Sequence, residues 1–279
     1  MKAYVFPGQG SQKVGMGAEL FDEFQDLCSI ADSILGYSIK TLCLEDPEKN
    51  LNLTQYTQPA LFIVSALSYY KKMKEGAPKP DFVAGHSLGE YNALLAAEAF
   101  DFETGVKLVQ KRGALMSQAP EGAMAAVIGL SEEKIKDFLT THQLEEIDIA
   151  NYNSPSQIVI SGLKEDIKNT RPIFKAEKIK CIPLKVSAAF HSRYMNGPEK
   201  EYRDFINGFN FSDLKLTVIS NVEAKPYPST NIKDNLTKQI SNSVRWTDSV
   251  RYIADKGDVQ FEEIGPGQVL QGLIGKILA

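Results

Sequence analysis

Five residues constrain this chain more than any others: Gly85-His86-Ser87-Leu88-Gly89, set between an apolar run and an alanine-rich run. Asp81-Phe82-Val83-Ala84 reads as the end of a buried strand, and Leu88, Tyr91 and Leu95 fall on one helical face. A Gly-x-Ser-x-Gly run between a strand and a helix is the pattern of a nucleophile elbow. The two glycines let backbone segments approach closely, and the serine sits at a helix N-terminus, where free N–H groups favour a developing oxyanion. The pattern by itself arises by chance on the order of 0.1 times per chain of this size, so the flanking strand and helix carry the inference. The competing reading is a glycine-rich turn with an incidental serine.

The chain has 279 residues, 43% hydrophobic and 24% charged, with a net charge of −4. That is globular composition with ample length for a large core, and the charge does not suggest a nucleic-acid partner. The N-terminus meets Pro7-Gly8 after four apolar residues, too short for a signal-peptide core, and no apolar run is long enough to span a membrane. Cys28, Cys43 and Cys181 are odd in number and far apart, as expected of reduced thiols in the cytoplasm.

Ala3-Tyr4-Val5-Phe6 predicts a short buried strand, followed by a helix through Leu20 and Phe24. A helix opens at Gln58-Pro59-Ala60, with proline in its first turn. Another spans about Phe102 to Ser117. Strands alternating with helices predict a largely parallel α/β sheet. In the middle, Met124–Gly129 reads as a strand and Ser131 as the cap of a helix bearing Ile135, Phe138 and Leu139. Strands are expected near 147–150 and 157–160 with a turn at Asn153-Ser154-Pro155. A helix over Lys164–Glu177 and a strand over Cys181–Val186 complete the segment. This β-α-β-β-α-β order is that of a ferredoxin-like unit, which predicts a small subdomain at 123–189 inserted into a larger domain of 1–122 and 190–279. Strands near 216–219 and 259–262 and a last helix after Gly265-Pro266-Gly267 finish the chain.

A serine hydroxyl needs a base. Three histidines are available. His86 adjoins Ser87, and neighbours on a sharp elbow point apart. His142 ends a surface-type helix. His191 follows a strand end in a loop, where catalytic groups are common, and is the favoured base. No Asp or Glu stands out as a third member. The Gly8-Gln9-Gly10 turn can offer a backbone N–H to an oxyanion together with that of Leu88. A dinucleotide fingerprint from Gly8 fails at Lys13, and a P-loop from Gly10 fails at Met16. Arg112, bordered by Leu108 and Leu115, is either a snorkelling side chain or an anion holder whose planar fork suits a carboxylate.

With these residues in place, the chain resembles the malonyl-CoA:acyl carrier protein transacylases, and most of all the discrete trans-acting acyltransferases of polyketide synthases. The marks are Phe6-Pro7-Gly8-Gln9-Gly10-Ser11-Gln12, Thr57-Gln58-Pro59-Ala60-Leu61, the elbow with Glu90-Tyr91, and Arg112-Gly113 with Met116. Gly122–Val127, Asn151–Pro155, Phe190-His191-Ser192 and Gly265-Pro266-Gly267 continue them. The resemblance implies an α/β-hydrolase-like domain with a ferredoxin-like insertion. It implies that Ser87 is acylated, that His191 is its base, and that Arg112 holds the malonyl carboxylate. The N–H groups of Gln9 and Leu88 are implied as oxyanion hole, and the main-chain carbonyl of Gln239 as the group orienting the histidine. Phe190 resembles the malonyl-selecting form, crowding an α-methyl group by roughly 1–3 kcal/mol. Two departures stand out. Ala188-Ala189 replaces the Gly-Pro frequent in fatty-acid members, and Ser241-Asn242-Ser243-Val244 replaces a common Asn-Pro-Val. The partners implied are malonyl-CoA and an acyl carrier protein, with no metal or redox cofactor. The alternatives are a housekeeping fatty-acid transacylase, a proofreading acyl hydrolase and a non-catalytic docking protein.

Overall fold

The computed structural model describes residues 1–228 and 231–279. In chain order, β1 (Lys2–Phe6) precedes α1 (Gln25–Leu35), α2 (Ile39–Leu44), α3 (Thr54–Lys74), β2 (Phe82–Gly85), α4 (Gly89–Ala96) and α5 (Phe102–Ser117). The middle gives β3 (Gly122–Ile128), α6 (Glu132–Thr141), β4 (Asp148–Ser154), β5 (Gln157–Leu163), α7 (Lys164–Ala176) and β6 (Lys180–Pro183). A 3₁₀ turn at Arg193–Met195 leads into α8 (Asn196–Ile206), β7 (Thr217–Ile219), α9 (Ile232–Lys238), α10 (Trp246–Ala254), β8 (Gln260–Glu263) and α11 (Val269–Leu278).

The strands form one parallel and one antiparallel sheet. The parallel sheet has the order β7-β2-β1-β8. Its central strand β1 is buried on both faces, which explains its unbroken apolar run. Side chains alternate across it. Tyr4, Phe6 and Val83 enter the core shared with α3, α4 and α5, while Ala3, Val5 and Ala84 enter a second core with Trp246, Val250, Leu270 and Ile274. The sheet is therefore sandwiched between helical layers.

The antiparallel sheet has the order β4-β5-β3-β6. One face buries Ala125, Val127, Ile158 and Ile160 under α6 and α7, where Phe138 and Phe174 stack with centroids 4.2 Å apart. The other face sends Met124, Ala126 and Val159 into the large core. Val244 ties β4 to the rest of the molecule: Tyr152 donates to its carbonyl at 2.9 Å, and it donates to Ala150 at 2.8 Å.

Several boundaries differ from the sequence expectation. The segment before α1 is a series of turns, not a helix through Leu20 and Phe24, because Gly15 and Gly17 take φ of 89° and 75°. Helix α3 starts at Thr54, so Pro59 lies inside it and not at its opening. β6 ends at Pro183, which has no N–H to continue a ladder. Helices α1, α2, α8, α9 and α10 carry no signal picked up from the sequence. Helix α5 matches its expected span, and Ser131 caps α6 by accepting from the Lys134 N–H. Among the described residues, no helix is long and apolar enough to cross a membrane. All three cysteines are free, with Cys28 and Cys43 buried.

Candidate active site

Ser87 sits between the end of β2 and the start of α4 with φ of 52°, a left-handed conformation that a non-glycine residue holds at a cost of about 1–3 kcal/mol. The turn closes so tightly that a Cβ on Gly85 would lie 1.9 Å from the Gly89 carbonyl carbon. A Cβ on Gly89 would lie 2.0 Å from the Phe6 oxygen, so both positions demand glycine. Side chains from distant segments hold the strain. Asn221 accepts from the Ser87 N–H at 2.7 Å and donates to the Gly85 carbonyl at 2.6 Å. Gln239 donates through Nε2 to the Ser87 carbonyl at 2.8 Å.

His191, also in the left-handed region with φ of 57°, lies against the elbow. Its Nε2 is 2.7 Å from Ser87 Oγ. Its Nδ1 is 2.8 Å from the Gln239 carbonyl and 3.2 Å from that of Asn242. Carbonyls only accept, so Nδ1 carries the proton and Nε2 is the free acceptor facing the hydroxyl. Burial, and then the positive charge of Arg112, push the His191 pKa down to about 3. The ring is thus neutral near pH 7, with Nε2 unprotonated toward the hydroxyl. The other histidines point elsewhere: His86 Nε2 is 2.7 Å from Asn153 Oδ1 with its ring edge-on to Trp246, and His142 packs on Phe138.

Arg112 does not snorkel: it is 1% exposed. Its Nη1 donates to Gln58 Oε1 at 2.7 Å, and its Nη2 donates to Gln239 Oε1 at 2.7 Å and to Ser87 Oγ at 3.2 Å. Its Nε–H has no acceptor among the described residues. The guanidinium is thus buried among neutral acceptors, with one donor unmet. The space beside it is small, about 90 Å³, and is bounded by Ser87, Arg112, Gln9, Leu88, Met116, Met124 and Phe190 among others. The N–H groups of Gln9 and Leu88 make no backbone bond among the described residues. An open cavity of about 690 Å³ shares His191 with this small one.

The chain matches the acyl transferase domain family over residues 3–277. It belongs to that family. This acyl transferase is 58% identical to the polyketide biosynthesis malonyl CoA-acyl carrier protein transacylase PksC of Bacillus subtilis (strain 168), over 99% of this chain and 97% of that one. It is 39% identical to the malonyl CoA-acyl carrier protein transacylase of the same strain, over 99% of this chain and 90% of that one. A crystal structure of malonyl CoA-acyl carrier protein transacylase from Burkholderia pseudomallei superposes with a TM-score of 0.97 at 47% identity, covering 100% of this chain and 98% of that one.

The acyl transferase thus brings together every site residue expected from its sequence: Ser87, His191, Arg112, Gln9, Leu88, Phe190 and Gln239. Gln239 does more than expected, because its side chain as well as its carbonyl serves the site. Four residues escaped the sequence reading. Gln58 and Glu90 lie in segments that mark the family, yet nothing in their spacing discloses their contacts. Asn221 and Tyr227 carry no signal, since their partners are more than 130 residues away in the chain. Glu90 is fully buried, and that burial lifts its carboxyl to about 7 even though Tyr227, Asn221 and Gln239 donate to it.

Proposed function

We propose that this protein moves a malonyl group from malonyl-CoA, through an ester on Ser87, to the phosphopantetheine thiol of an acyl carrier protein. The observation that carries this is the buried Arg112, with its unmet Nε–H, beside a Ser87–His191 pair. An acyl group ending in a carboxylate is the ligand this cation lacks. His191 Nε2 takes the Ser87 proton as Oγ attacks the thioester carbonyl, and the resulting oxyanion rests on the Gln9 and Leu88 N–H groups. The C–S bond breaks, and His191 returns its proton to the CoA thiolate. The carrier thiol then gives its proton to His191, attacks the ester carbonyl and leaves Ser87 as the free alcohol. The Gln239 carbonyl stands where an acid orients the histidine in a triad, and it holds the Nδ1–H tautomer without adding charge. No metal or redox cofactor enters these steps. The larger cavity beside His191 is the approach for the thioester arm, and Phe190 restricts branching next to the acyl carbonyl.

The strand orders support reading residues 1–122 and 190–279 as an α/β-hydrolase-like domain and 123–189 as a ferredoxin-like insertion. In the insertion, two βαβ halves build a β4-β5-β3-β6 sheet. Identity of 58% to a polyketide transacylase, against 39% to the other transacylase of the same strain, favours service to a polyketide synthase, in trans and in the cytoplasm. A hydrolase of neutral acyl chains has no use for Arg112.

The test is intact-mass analysis after mixing the protein with malonyl-CoA and then with a carrier protein bearing phosphopantetheine. A malonyl adduct on Ser87 that moves to the carrier is the expected result. Rapid release of free malonate would make the protein a hydrolase, and absence of any adduct would end the transfer reading.

A further inference from the structure

Beneath the elbow lies a carboxylate that the transfer steps do not use. Glu90, the second residue of α4, is 0% exposed. Three donors reach it. The Asn221 N–H at 2.9 Å and the Tyr227 O–H at 2.7 Å share Oε1, and Gln239 Nε2 donates to Oε2. The same Gln239 amide presents its Oε1 to Arg112 Nη2 at 2.7 Å, and its main-chain carbonyl accepts from His191. The two ends of an amide have nearly the same shape, so only the neighbours decide which end faces which way. An ionised carboxylate only accepts and a guanidinium only donates. Glu90 and Arg112 together therefore leave Gln239 one orientation.

We infer that Glu90 is a positioning residue for acyl selection: through the Gln239 side-chain amide it holds Arg112 toward the acyl cavity while leaving that guanidinium without a direct anionic partner. The inference rests on the malonyl reading above. Two physical facts favour this relay over a direct pair. A carboxylate touching Arg112 would take the donors that a substrate carboxylate needs. A buried guanidinium with no counter-charge nearby would be costly to keep. One amide between the two charges meets both demands, and the Nε–H of Arg112 stays unmet. Among the described residues, the charged and titratable groups acting on Glu90 are Arg112 from α5, Tyr227 from the segment after β7 and Tyr91 on its own helix.

The inference predicts how two variants discriminate between malonyl-CoA and acetyl-CoA when Ser87 acylation is followed by quenched mass analysis at pH 8, where Glu90 is ionised. Glu90→Gln keeps the shape but sets an NH₂ against the Gln239 donor, so the amide turns and offers Arg112 a donor. Malonyl kcat/KM should fall about 100-fold, the scale expected of a misplaced positioning group, and acetyl loading by tenfold at most. The Glu90→Gln plus Gln239→Glu double variant restores a donor–acceptor pair but puts the carboxylate directly on Arg112 and gives up the bond to the Ser87 carbonyl. It should fold and, whatever loading both substrates lose in common, show a malonyl KM raised about 100-fold more than the acetyl KM by competition for Arg112. A malonyl-to-acetyl preference equal to wild type in either variant would overturn the inference, and the double variant keeps it testable if Glu90→Gln alone does not fold. Wild-type protein that takes no malonyl group would instead refute the transfer reading, a result separate from any difference between variants.

Discussion

The parallel and antiparallel sheets meet at one cavity but bring different chemistry to it. From the parallel sheet come Gln9 after β1, Ser87 after β2 and Asn221 after β7, with Arg112 from α5, a helix packed against α3 and α4. From the antiparallel sheet and its exit come Met124, Leu184 and Val186, with Asn151 as the polar exception. The direction of the strands explains the contrast. Parallel strands all end on one edge, so loops far apart in the chain converge there. Antiparallel strands end alternately on both edges and cannot gather loops in the same way. The parallel sheet thus places Ser87, while His191 reaches it at 2.7 Å on the loop that leaves the antiparallel sheet, whose other residues bound the space.

Four changes would break or sharpen that contrast. The largest effect is expected at the elbow. Ser87→Ala should abolish the malonyl adduct, with a loss on the order of 10⁶ in transfer rate as seen when a serine nucleophile is removed, and any residual adduct by mass would locate the nucleophile elsewhere. Next comes Arg112→Ala, expected to remove about 2–5 kcal/mol of malonyl binding, as for one partner of a buried charge pair. Competition between malonyl- and acetyl-CoA reads this directly, and a preference for malonyl that survives would strip Arg112 of its role.

The third change concerns pH. In the folded protein His191 titrates at about 3 rather than 6.5, so the unfolded chain binds its proton first as pH falls. Stability from this group is complete above pH 6.5 and is lost progressively toward pH 3, at up to about 1.4 kcal/mol per pH unit. Urea titrations of wild type and His191→Gln between pH 6 and 4 should therefore diverge in slope by about one proton, and parallel curves would mean that the imidazole is not held neutral. The smallest effect on malonyl transfer is expected on the antiparallel side. Met124→Ala should enlarge the cavity, cost about 2–5 kcal/mol of stability and raise the loading of a branched malonyl thioester by roughly 1–3 kcal/mol, with catalysis on malonyl-CoA little changed. A large loss of malonyl transfer in that variant would erase the division between the two sheets.

Some of this site was legible without coordinates. The elbow is local: Gly85, Ser87 and Gly89 are close in sequence, and the steric demand on each glycine is met by near neighbours. His191 emerged by elimination among three histidines, and two of them do face elsewhere. For Arg112 the helical pattern alone favours a snorkelling side chain, because it shows which side chains share a face but not what covers that face. Its 1% exposure comes from residues 54–62, 87–91 and 239, which no periodicity links. The turns before α1 depart from the apolar spacing for a related reason. Apolar spacing over residues 16–24 suits a helix, and the φ values of Gly15 and Gly17 overrule it.

What the chain's own order of residues determined is the set of parts: alternating strands and helices, a tight turn with one exposed hydroxyl, and a middle segment with its own β-α-β-β-α-β rhythm. These follow from short-range sterics and from hydrophobic period, which act between neighbours. Only the tertiary structure decided what those parts do to each other: that Asn221 and Gln239 hold a strained Ser87, that a main-chain carbonyl orients His191, and that a buried carboxylate stands one amide away from Arg112. Hydrogen bonds and charges act over a few ångströms whatever the separation along the chain, so groups more than a hundred residues apart acquire partners only when the core brings them together.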